Sequence, residues 1–184
     1  MAEDLNPAPL VFVYGTLLRG EGNHGLIEHQ GTDMEYVGTA WVRGRIFDLG
    51  AFPGFGEGAG RVKGEIYRVH SARALASLDG LEGYRADAPE RSMYIRREIR
   101  THPWPRKAWI YEWNGRHPGV DIPSGDWHQH MDEKMQRQIE RRQERAQFAA
   151  NLLPVKLRGL VLRSGKPSPD NAVKPPSRDI APLE

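Results

Sequence analysis

The 184-residue sequence contains no cysteine. That absence excludes disulfides, thiol nucleophiles, Cys-ligated zinc and iron–sulfur clusters, and it fits a reducing, cytoplasmic compartment. Long hydrophobic runs are missing too. No apolar stretch approaches the roughly 20 residues that span a bilayer, so no membrane partner is expected. The opening Met1-Ala2-Glu3-Asp4 is acidic and lacks the apolar run of a secretory signal. There is no phosphate-binding Walker loop, no dinucleotide fingerprint and no His-Glu-x-x-His. Ser124 sits in Pro-Ser-Gly-Asp, which is not a nucleophile elbow. His128 and His130 are the nearest approach to a metal pair. Their spacing of two puts them on different faces of a helix, so no metal site is expected.

What is present describes a globular protein. Hydrophobic residues make up 39% and the 20 Gly show no triplet period. Residues 1–127 carry 15 Lys/Arg against 17 Asp/Glu, and residues 128–184 carry 11 against 7. The second stretch is mildly basic, but its charges alternate in sign. It lacks the dense basic stripe of a nucleic-acid surface, and no nucleic-acid partner is expected.

Leu10–Tyr14 is a short apolar run that reads as a buried strand. Further strands are predicted near 36–43, 44–49, 62–69, 93–100 and 108–113. Residues 50–60, with five Gly and one Pro, read as a loop. Ser71 is a good N-cap for a helix through about Leu78, where Asp79-Gly80 should end it. Many strands and one short helix point to an α+β domain around a closed or nearly closed sheet. Residues 127–151 lack Gly and Pro and place Met131, Met135 and Ile139 on one thin apolar stripe of a long helix. Residues 155–162 have a strand pattern, and from Ser164 the sequence is polar and Pro-rich. The expected division is a domain over 1–127, a helical extension over 128–163 and a tail over 164–184.

Two stretches carry chemistry. In Val13-Tyr14-Gly15-Thr16-Leu17 a strand ends at a Gly, freeing backbone N–H groups that can hold a carboxylate or a developing oxyanion. In Leu81-Glu82-Gly83-Tyr84 a carboxylate stands among apolar neighbours, where partial desolvation would raise its pKa toward that of a general base. Taken alone, the first reads as an ordinary strand-to-turn transition and the second as a surface Glu in a turn.

Together with four other blocks, in order, they resemble the gamma-glutamylcyclotransferase-like (AIG2-like) superfamily. Tyr14-Gly15-Thr16-Leu17, with Arg19-Gly20 to Asn23-His24, is similar to its N-terminal signature loop. The other matching blocks are Phe47–Pro53, Gly64-Glu65-Ile66-Tyr67, Leu78-Asp79 to Tyr84 with Tyr94-x-Arg96, and Ile122–Trp127. The resemblance spans residues 11–127 and is closest in look to the gamma-glutamylamine branch. It implies a small mixed β-barrel with flanking helices, to which the chain adds a C-terminal helix. It also implies an enzyme that needs no cofactor and releases 5-oxoproline and a free amine from a small-molecule γ-glutamyl amide. In this family Glu82 would be the general acid/base, and Tyr14, Gly15, Thr16 and Leu17 would hold the glutamyl group. Tyr84, Tyr94 and Tyr111 are candidate supporting hydroxyls. Position 54 departs from the pattern, and Gly there is expected to loosen the pocket wall. A specialised γ-glutamyl deprotecting enzyme and a non-catalytic interaction module are the rival readings. The stripe of the C-terminal helix, extended by Phe148, Leu152 and Leu153, is expected to dock on the barrel or on a second copy in a homodimer.

Overall fold

The computed structural model describes residues 7–115 and 119–152. Strand β1 (Leu10–Val13) is the expected apolar run, and Val11, Phe12 and Val13 are all buried. Strands β2 (Met34–Asp48) and β3 (Pro53–Val69) form one long antiparallel hairpin. Strands β4 (Tyr94–His102) and β5 (Lys107–Trp113) form a second. The order is β3-β1-β5-β4-β2, and β2 pairs back to β3, which closes a five-stranded barrel. Because β1 runs parallel to β5 and antiparallel to β3, the barrel is mixed. Strand β6 (Val120–Ile122) extends the sheet along Ile46–Asp48 of β2.

Alternation places the core. Ala40, Val42 and Ile46 point inward from β2 while Arg43 and Arg45 stay exposed. Phe12, Phe55, Val62 and Ile110 complete a fully buried interior. Each such side chain contributes about 1.5–3 kcal/mol by leaving water.

Two sequence expectations are corrected. Residues 53–60, read as loop, belong to β3. Their glycines serve close packing rather than turning. A Cβ on Gly54 would meet Trp113 at 2.9 Å, one on Gly56 would meet the Phe47 ring at 3.1 Å, and one on Gly58 would meet Arg45 at 3.1 Å. Gly54, the position expected to loosen the pocket wall, sits against Trp113 and Leu49. The other correction concerns helix α2 (Ala72–Leu81), which runs through Asp79-Gly80. Ser71 caps its start as expected, accepting from the Ala74 N–H. Its true stop is Gly83, at φ +60°. The Gly83 N–H returns to the Gly80 carbonyl and the Tyr84 N–H to the Asp79 carbonyl, the double bond of a Schellman C-cap. A short helix, α1 (Gly25–Glu28), follows the Gly-rich loop.

Helix α3 (Trp127–Leu152) takes the span expected for the long helix. The chain divides into two compact units, one ending at Lys134 and one beginning at Met135. In the first, Trp127 is buried, Met131 packs on the core, and Asp48 Oδ2 lies 2.9 Å from His130 Nε2 and 2.7 Å from Lys134 Nζ. The expected boundary at 127 thus precedes side chains that are bound to the barrel. In the second unit Met135, Phe148 and Leu152 are exposed. Leu153, the strand pattern at 155–162 and the tail lie outside the described residues. No helix among the described residues is long and apolar enough to cross a membrane.

Candidate active site

The end of β1 and the end of α2 open onto one cavity of about 220 Å³. Tyr14, Gly15, Thr16 and Leu17 line it from the strand end, and Glu82 lines it from the helix cap. Tyr94 and Tyr111 also face it. Tyr84 is not among the lining residues. Its ring lies 5.0 Å from the Arg96 guanidinium instead. Sequence reasoning missed Phe52, Pro53, Leu81 and Met93 as wall residues. Apolar residues flanking a motif carry no signal that separates cavity wall from core.

The loop after β1 is held from behind. The Leu18 N–H donates to the Gly15 carbonyl and the Asn23 N–H to the Thr16 carbonyl, both at 2.9 Å. Asn23 Nδ2 donates to the Thr16 hydroxyl at 3.0 Å. The buried Glu65 accepts from the Arg19 amide, from Arg19 Nε and from the Tyr67 hydroxyl. The backbone N–H groups of Gly15, Thr16 and Leu17 donate to no described residue, so they are free for an anion. Gly15 is required by crowding: a Cβ there would stand 2.3 Å from Pro53 Cγ.

Three tyrosines frame the cavity with their hydroxyls already committed. Tyr14 donates to the Tyr111 carbonyl at 2.7 Å and accepts from the Phe55 N–H. Tyr94 donates to the Pro53 carbonyl at 2.7 Å. Tyr111 donates to Asp79, which Arg96 holds from the other side. Burial pushes all three phenols well above their ordinary range, and the Glu82 charge pushes them the same way. None is a ready proton donor at neutral pH.

Glu82 is different. Its carboxyl makes no hydrogen bond or ion pair with a described residue, although its backbone is pinned at both ends of the turn. The residue keeps some accessible surface, yet protein crowds the carboxyl, and that burial pushes it up to about 7. A lone carboxyl that changes charge near neutrality, beside free amides, is equipped for proton transfer next to a bound anion. No other acid and no Lys, Arg or His lines the cavity. Among the described residues no cluster of three metal-ligating side chains occurs; His130 is engaged with Asp48.

The family described as gamma-glutamyl cyclotransferase, AIG2-like, matches residues 11–129. A Vibrio cholerae protein, provisionally named a gamma-glutamylcyclotransferase, is 40% identical over 129 residues, 66% of this chain and 97% of its own. The gamma-glutamylcyclotransferase family protein YtfP of Escherichia coli is 34% identical over 64% of this chain and 94% of its own. A gamma-L-glutamyl-butirosin B gamma-glutamyl cyclotransferase from Niallia circulans is 31% identical over 66% of this chain and 77% of its own. Among solved structures, an uncharacterized protein from Pyrococcus horikoshii superposes with a TM-score of 0.56 at 25% identity, covering 70% of this chain and 98% of that one.

Proposed function

Because the chain belongs to the gamma-glutamyl cyclotransferase, AIG2-like family and is an enzyme of that type, we propose that it releases 5-oxoproline and a free amine from a small γ-glutamyl amide. The observation that carries this reading is the unpaired Glu82 carboxyl, near pH 7 in its proton affinity, in one cavity with the free amides of Gly15–Leu17.

The reaction needs little machinery because nucleophile and electrophile share one molecule. The α-ammonium of the glutamyl group gives a proton to the Glu82 carboxylate. The freed amine nitrogen attacks the γ-carbonyl carbon, forming the C–N bond of a five-membered ring. The protonated Glu82 then delivers its proton to the amide nitrogen, the old C–N bond breaks, and the amine leaves; Glu82 takes the second proton from the ring nitrogen and passes it to the departing amine, which leaves as an ammonium ion. The carboxylate is regenerated, so the proton count closes. Holding the substrate folded for attack supplies much of the acceleration, since effective molarities for oriented groups reach about 10⁵ M or more. Proton transfer by one well-placed carboxyl adds roughly 10²–10⁴-fold. The Gly15–Leu17 amides hold either the α-carboxylate or the charge that develops on the γ-carbonyl oxygen. The Tyr14, Tyr94 and Tyr111 hydroxyls, all occupied, fix the walls.

Incubation with a set of γ-glutamyl amides, with 5-oxoproline followed by mass spectrometry, tests the reading. Stoichiometric 5-oxoproline and amine are expected. Hydrolysis to free glutamate, or no conversion, would overturn it. The match to the Niallia circulans enzyme supports a second reading, removal of a γ-glutamyl group from a specialised amine.

A further inference from the structure

The side of the cavity beside Glu82 is apolar and open. Leu81 immediately precedes Glu82 and Met93 begins the return into β4. The Met93 N–H donates to the Gly83 carbonyl at 3.2 Å and the Tyr94 N–H to the Glu82 carbonyl at 3.3 Å. Both side chains therefore flank the Glu82 turn. Both line the cavity, and both remain exposed, Leu81 at 37% and Met93 at 41%. Phe52 continues the same wall, edge-on to the Tyr94 ring at 6.3 Å.

We propose that the amine released by this enzyme is a primary amine whose substituent is uncharged and apolar, alkyl or arylalkyl, and lies on Leu81, Met93 and Phe52. This deepens the cyclotransferase reading and rests on it. The leaving nitrogen must stand at the Glu82 carboxyl to receive its proton, so the substituent on that nitrogen leaves the site past the residues flanking Glu82. Those residues are hydrocarbon. The tyrosine hydroxyls that frame the cavity are spent: Tyr94 on the Pro53 carbonyl, Tyr111 on Asp79 and Tyr14 on the Tyr111 carbonyl. A substituent carrying a carboxylate or an ammonium would shed water there and gain no partner, a loss that charged groups meet heavily. A hydrocarbon substituent instead covers two large side chains left in water, and each methylene so buried improves kcat/KM roughly fourfold.

The test compares γ-L-glutamyl amides of ethylamine, n-butylamine and benzylamine with γ-L-glutamylglycine, Nε-(γ-L-glutamyl)-lysine and γ-L-glutamylputrescine, all as substrates of the full chain. Expected is a rise in kcat/KM of roughly fifteenfold from ethyl to n-butyl. The n-butyl and benzyl amides should exceed every charged substrate by at least about tenfold. In Met93→Lys the n-butyl preference should fall and γ-L-glutamylglycine should gain, because the new ammonium pairs with its carboxylate. A charged substrate that equals the n-butyl amide in the wild-type chain overturns the assignment, as does a flat series from ethyl to n-butyl. Conversion of none of the six overturns the cyclotransferase reading itself, so the two failures are distinct.

Discussion

The Tyr111 hydroxyl donates to Asp79 Oδ1 over 2.7 Å, and one Arg96 nitrogen, Nη1, closes on both oxygens of the same carboxylate at 2.8 and 2.7 Å. Asp79 stands one turn before Glu82 on α2, so this triad clips the helix that carries Glu82 to β4 and β5. Arg96 and Asp79 are both largely shielded, and Arg96 Nε has no hydrogen-bond partner. Removing Asp79 would strand the guanidinium. Asp79→Leu should therefore cost about 2–4 kcal/mol in urea unfolding. The exposed Arg85–Asp87 pair should be worth less than about 1 kcal/mol when Asp87 becomes Ala. Equal losses at the two positions would show that Asp79 does not clip the helix.

Glu82→Gln keeps the shape of the side chain and removes its proton chemistry. Turnover should fall by at least about 10²-fold with the fold retained by circular dichroism. In the wild-type chain kcat/KM should rise with pH through about 7, as the carboxyl becomes a base. Stability should move the other way. The carboxyl has an ordinary value of 4.5 and a folded value of about 7. Between those pH values the native chain holds a proton that the unfolded chain has lost, so stability declines as pH rises across that window. The Tm difference between Glu82→Gln and wild type should accordingly grow in favour of the variant from about pH 4.5 to 7. A difference that is flat with pH would mean that the carboxyl is not desolvated.

Gly15→Ala tests the loop. The added methyl would stand 2.3 Å from Pro53 Cγ, so either the loop or the β2–β3 hairpin tip must move. Such overpacking costs typically about 1–3 kcal/mol. Because the displaced atoms belong to the free amides, kcat/KM should drop by more than about tenfold even at temperatures where the variant is fully folded. Normal kinetics in a folded Gly15→Ala chain would remove the Gly15–Leu17 backbone from the binding site.

The barrel was legible because its strands alternate plainly, as at Ala40, Val42 and Ile46, and because Ser71 is an unambiguous cap. The glycines at 54, 56 and 58 misled, since sequence alone does not distinguish a Gly needed for turning from one needed for contact with Trp113, Phe47 or Arg45. The Asp79-Gly80 pair misled for a related reason: the helix tolerates it because the Schellman bonds at Gly83 come three residues later. At the site, Tyr14–Leu17 and Glu82 stood out through the order of the matching blocks, and the structure places them on one cavity. The Asp79–Arg96–Tyr111 clip and the Asp48 contacts join residues 17 to 86 positions apart, and no local pattern announces pairs that only the closed sheet brings together.

The C-terminal helix divides into two questions that two truncations separate. Asp48 is held down to about 2, against burial that would raise it, by hydrogen bonds from Lys134 and His130 and from the Gly50 N–H. A chain ending at Lys134 keeps all of these, and its Tm should match the full chain within a few degrees. A chain ending at Trp127 leaves the shielded Asp48 carboxylate with the Gly50 N–H alone. Its loss should be roughly 2–4 kcal/mol at pH 7. The stabilisation from Asp48 is present above its ordinary value of 3.8 and is lost as pH falls toward about 2. The gap between the two truncated chains should therefore narrow on acidification below about pH 4. A gap that is absent at pH 7 would show that His130 and Lys134 do not anchor the helix. The stripe beyond Lys134, with Met135 at 61% and Phe148 at 67% exposure, is what a homodimer would cover. Sedimentation should then find the full chain as a dimer and the chain ending at Lys134 as a monomer. A monomeric full chain at micromolar concentration would leave the stripe without a role in self-association.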